Sequence, residues 1–157
     1  MDARAAAFAA QVTVGTLNSW IQRGIIPGVS VGAQGRLRDF DLDVATAIGI
    51  ICELVRHGLS APRASKIAET YLNEKPRPNR LMLAPLVEFG NLRQNNIEIG
   101  VHGRFDSEQQ LPKIIQDMAK MGIHLPSYMI LNVQLIVETM RAAEERWQQA
   151  QRKSGHP

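Results

Sequence analysis

The chain has 157 residues, of which 45% are hydrophobic and 21% charged, with a formal net charge of +3. That suits one globular core or two small ones and excludes collagen-like or wholly disordered architectures. A single cysteine, Cys52, excludes an intrachain disulfide; set in the run AIGIICELV, it reads as an inert core thiol in a reducing compartment. No run approaches the roughly 18 apolar residues of a membrane span. The opening MDARAAAFAAQV is too weakly hydrophobic for a secretory signal, so a cytoplasmic protein without a membrane partner is expected.

The charge is unevenly placed. Residues 1–80 carry ten Lys/Arg against seven Asp/Glu, whereas residues 81–157 carry eight of each. Within the first half, residues 3–38 contain no acid at all, but they contain Arg4, Arg23, Arg36 and Arg38. A surface free of carboxylates suits a polyanion, because every nearby acid repels phosphate.

In chain order, residues 3–10 read as an Ala-rich helix whose only large apolar side chain is Phe8, with Gln11 and Val12 as a tight turn. A second helix follows over residues 13–23. Thr13 is placed to cap it, and Leu17, Trp20 and Ile21 recur at helical spacing. Gly24 supplies a left-handed stop, with Pro27 shortly beyond. Residues 28–40 read as a β-hairpin: Val29 and Val31 alternate with small or polar residues, AQG makes the turn, and Leu37 and Phe40 return. A helix followed at once by a basic hairpin is the layout of a winged helix-turn-helix. The plainer reading of residues 3–24 is two helices of a generic bundle.

The run V-T-V-x-T-L-x-x-W-x-x-x-G-I-I-P resembles the second helix of MerR-type regulators, with Thr13, Thr16, Leu17, Trp20, Gly24 and Ile25 matching position by position. The following R-L-R-D-F is similar to that family's wing signature, an Arg followed two residues later by an aromatic; Arg38 and Phe40 fill those places. Residues 41–68 resemble the family's next two helices, with HGLS at the bend. The resemblance covers about the first 70 residues. It departs where the family has Arg and then Tyr after the Thr-Leu pair, since Asn18 and Ser19 stand there, and the cysteine ligands of the family's metal sensors are absent.

Residues 41–57 form the strongest helical pattern. Leu42, Val44, Ala45, Ile48, Ile51, Cys52 and Val55 share one broad face. Asp41 and Asp43 suit its N-terminus and Arg56 and His57 its C-terminus, and Gly58 stops it. Ser60 then caps a helix over 61–72 with Ala64, Ile67, Ala68 and Leu72 as its stripe. NEKPRPNR, residues 73–80, reads as a linker between an N-terminal winged-helix domain (1–72) and a small α+β unit (81–152). In that unit LMLAPLVEF and IEIGVHGRF read as two antiparallel strands, the second with Ile97, Ile99 and Val101 on one face. Ser107 and Gln110 resemble a capping box for a helix carrying Leu111, Ile114, Ile115 and Met118, with Pro112 in its first turn. IHLPSYMILNV suggests a third strand. A long helix follows, with Val133, Ile136, Val137, Met140, Ala143 and Trp147 at helical spacing, and residues 153–157 read as a disordered tail. The expected fold class is therefore mainly α with small β, a winged helix-turn-helix joined to an α+β unit ending in a long helix.

Signs of catalysis are few. His57, His102, His124 and His156 are scattered without partners at metal-ligand spacing, and no phosphate-binding glycine loop occurs, so no metal, cofactor or enzymatic activity is expected. GVSVG around Ser30 echoes a nucleophile elbow, but a hairpin fits it better. The expected function is a sequence-specific transcriptional regulator, bacterial or phage and nucleoid-associated, with double-stranded DNA as its partner. The helix over 13–23 would enter the major groove. Thr13, Gly15, Thr16, Asn18 and Ser19 would offer short contacts, with Asn18 for adenine and Arg23 for phosphate. Gln34, Arg36 and Arg38 of the wing would reach the backbone or minor groove. The resemblance implies a homodimer through Val133, Ile136, Val137, Met140 and Trp147; the competing reading packs that stripe on the hairpin of its own chain. The alternative function is a winged-helix protein-interaction module, or phage-type accessory factor, without sequence-specific DNA readout.

Overall fold

The computed structural model describes residues 1–30, 39–73, 81–85, 104–105, 110–120 and 128–153. It is mainly helical with a small sheet. The element order is α1 (Ala3–Ala9), α2 (Val14–Gln22), α3 (Leu42–Arg56), α4 (Ala61–Asn73), β1 (Leu81–Pro85), β2 (Arg104–Phe105), α5 (Leu111–Lys120), β3 (Tyr128–Asn132) and α6 (Val133–Lys153). The strands lie in the order β2-β1-β3, both pairings antiparallel, with Leu81 opposite Phe105 on one side and Asn132 on the other. Among the described residues no helix is long and apolar enough to cross a membrane.

Three of the first helices stop by the same local device. At the end of α1, Val12 N–H donates to the Ala7 carbonyl (3.0 Å) and Gln11 N–H to the Phe8 carbonyl (3.1 Å). At the end of α2 the same pair is Ile25 to Trp20 (2.8 Å) and Gly24 to Ile21 (3.0 Å), and at the end of α3 Leu59 to Leu54 (3.1 Å) and Gly58 to Val55 (3.0 Å). This pairing needs a left-handed residue just past the helix and seats the next residue against the last turn. Gly24 (φ 68°) and Gly58 (φ 94°) adopt that conformation without strain, whereas Gln11 (φ 54°) does so with a side chain. Ile25 and Leu59, the residues that follow the two glycines, are buried.

The starts are equally local. The side chains of Asp2, Thr13 and Asp41 accept from Ala5, Thr16 and Val44 N–H, so three helices begin on an acceptor cap. The expected boundaries of the first four helices hold to within a residue or so.

Helix α3 is the hub. Its apolar residues do not form one stripe: Ala45, Thr46, Ala47, Ile48, Gly49, Ile50, Ile51, Cys52 and Leu54 are all buried, because α4 covers one side and α6, with α1, another. Thr46 is tolerated there because its hydroxyl donates to the Leu42 carbonyl (2.7 Å). Small residues bring the helices close. Ala5, Ala6, Ala7 and Ala10 form the inner side of α1 while Phe8 is 64% exposed, so the one large apolar side chain of that helix is not its anchor.

The stripe of α6 is occupied within its own chain: Val133 and Met140 belong to the core, and Ile136 and Val137 pack against it. Trp147 donates from Nε1 to Asp2 Oδ2 (2.8 Å). A Cβ on Gly49 would lie 2.6 Å from both Ile136 Cγ2 and Met140 Cε. Within the chain the stripe faces α3 and α1, and α6 also meets β1. Leu131, Val133 and Met140 share one buried cluster with Leu17, Ile48 and Leu54. The last helix also runs through Lys153, one residue into the expected tail.

Candidate nucleic-acid interface

Helix α2 is held by one side and free on the other. Leu17, Trp20 and Ile21 are buried, and Ile25 and Ile26 after the turn are buried with them. Residues three and four apart share a helix face, so this anchoring turns Gly15, Asn18, Ser19 and Gln22 outward together. All four are exposed, and none carries a charge. Thr13 and Thr16 lie at the start: the Thr13 Oγ1 accepts from Thr16 N–H (3.0 Å), and the two hydroxyls are 2.9 Å apart. Their hydroxyls thus serve the cap as well as facing out. Gly15 leaves open backbone, with only Thr13 Oγ1 (3.7 Å) near the place of a Cβ. Arg23 closes the helix, exposed and in no ion pair among the described residues.

Of the residues expected to contact DNA, the structure brings Thr13, Gly15, Thr16, Asn18, Ser19 and Arg23 together on this one short helix. Gln34, Arg36 and Arg38 lie outside the described residues, as do residues 31–38 as a whole, so the wing turn does too. The two ends of that segment are described. Gly28 has φ 78°. At the other end Asp39 pairs with Asp2 in an isolated antiparallel bridge, and Phe40 N–H donates to the Met1 carbonyl (2.7 Å) while the Met1 amino group donates to the Phe40 carbonyl (2.8 Å). Asp39 and Phe40 are thereby fixed to the start of the chain, with Phe40 in the core.

Gln22 shares this outer face, since it stands four residues after Asn18 and opposite Leu17 and Ile21. Sequence reasoning left Arg56 as a helix-end charge. In the fold it donates to the Ala10 carbonyl (2.6 Å) and to Glu53 Oε2 (2.7 Å), tying the end of α3 to the end of α1 and so to the turn that aims α2. His57 lies 3.5 Å from Glu53 on the same helix end.

Among the described residues no other chemistry gathers, and no group of three His, Cys, Asp or Glu side chains could hold a metal ion. Burial pushes the Cys52 thiol up to about 12; the charge of Arg56 opposes this and that of Glu53 adds to it. The thiol is therefore protonated and unreactive at neutral pH. Glu88, Glu98 and His102 lie outside the described residues. An open cleft between the chain start and α6 is lined by Asp2, Asp39, Glu144, Trp147 and Arg152 among others. No family model matches the chain, and no curated protein matches it.

Proposed function

We propose that the chain is a sequence-specific, DNA-binding regulator of the winged helix-turn-helix kind, with α2 in the major groove and residues 28–40 as its wing. The observation that carries this reading is the outward face of α2. It presents Gly15, Asn18, Ser19 and Gln22 to solvent, with Arg23 at its end, in a stretch with no acid from residue 3 to residue 38. Short polar side chains with open backbone between them suit close approach to base edges, and flanking arginines suit phosphate. A small basic surface binds weakly alone, so two copies on a pseudo-palindromic site belong to the same proposal.

A titration of the protein with duplex DNA at two salt concentrations tests the reading. Binding that weakens log-linearly with salt is expected. Arg36→Ala or Arg38→Ala should each lower affinity across all sequences and reduce the salt slope by about one. No binding at low salt would overturn the proposal. It would favour the second reading, a winged-helix protein-interaction module, which the uncharged face of α2 and the exposed Phe8 support.

A further inference from the structure

We infer that Asn18 and Gln22 together read two adenines about two base-pair steps apart, which makes Gln22 a specificity-determining residue. The inference rests on the DNA-binding reading above. Both residues stand on the exposed face of α2, and neither side chain has a hydrogen-bond partner among the described residues. A carboxamide matches adenine in the major groove, accepting from N6 and donating to N7, whereas guanine is matched by Arg or Lys and cytosine by Asp or Glu. The face formed by Gly15, Asn18, Ser19 and Gln22 holds no Arg, Lys, Asp or Glu, so its own side chains are matched to adenine and not to the other two bases.

The spacing follows from helix geometry. Four residues advance about 6 Å along the axis, and successive base pairs lie about 3.4 Å apart. With α2 lying along the groove, its two amides meet bases roughly two steps apart. Gly15 and Ser19, on the same face, add no bulk that would hold the helix away from the base edges. Gly15 in particular leaves the first turn open.

Selection from a pool of randomised duplexes, using the full chain, tests this. The expected result is enrichment of two A·T pairs about two positions apart. Asn18→Ala and Gln22→Ala should each relax one of the two positions, lowering discrimination there by roughly ten-fold to a hundred-fold. Gln22→Glu should move the preference at its position from adenine to cytosine, which a merely structural role would not do. Circular dichroism of each variant, all at exposed positions, keeps folding out of the comparison. Failure of the wild-type chain to bind any duplex overturns the underlying DNA-binding reading. Binding without adenine enrichment, or Gln22 variants that keep the wild-type preference, overturns this inference alone.

Discussion

Helices α2 and α6 are both amphipathic, yet they use their two faces in opposite ways. In α2 the apolar side is a short anchor of Leu17, Trp20 and Ile21, and the polar side is free and uncharged. In α6 the apolar side is long and is seated on α3 and α1, and the polar side is a mixed-charge surface. Amphipathicity shows that one face is covered; it does not show by what. The spacing of the α6 stripe left open a second copy of the chain or its own hairpin, and within the chain Ile136 and Met140 have a seat that no periodicity reveals. That seat is the surface of Gly49 on α3, against which Ile136 and Met140 close.

If the apolar side of α6 is structural and the outer side of α2 is free, substitutions on the two should separate cleanly in a denaturation experiment. The largest loss is expected for Met140→Ala, which empties a buried site between α6 and α3 and should cost about 2–5 kcal/mol of unfolding free energy. Gly49→Val attacks the same seam from the other side. It forces side-chain atoms into space held by Ile136 and Met140, at a cost of about 1–3 kcal/mol.

Asp2→Ala removes a helix cap and the acceptor for the Trp147 indole at once. A loss of about 1–2 kcal/mol is expected, with a red shift of tryptophan emission as that ring gains water. A smaller effect of opposite sign is expected for Gln11→Gly. The left-handed turn between α1 and α2 holds a side chain there, and glycine relieves it by about 1 kcal/mol, read as a raised denaturation midpoint. Least of all, Asn18→Ala and Ser19→Ala should change stability by no more than about 0.5 kcal/mol, since their side chains are exposed. A large loss at either would mean that the outer face of α2 is covered after all.

The helices of the first half were legible because their ends are written in local chemistry. Thr13 and Asp41 satisfy the first free N–H groups, and Gly24 and Gly58 adopt the backbone that closes the last turn. Such signals need no knowledge of what packs where. Burial all around α3 was less legible, because it depends on helices arriving from both ends of the chain. The double use of Asp2, as cap and as acceptor for a side chain 145 residues away, left no trace in spacing. On the candidate site, the anchored face of α2 fixed the exposed one by subtraction, so Asn18 and Ser19 were readable; Gln22 follows by the same arithmetic carried one turn further.

The most direct test of the account is a residue-by-residue NMR titration of the backbone amides with a short duplex. The account predicts that the largest shifts fall on Gly15, Asn18, Ser19, Gln22 and Arg23, while amides of α6 stay in place. Shifts confined to α6 or the sheet, with those of α2 unmoved, would contradict it.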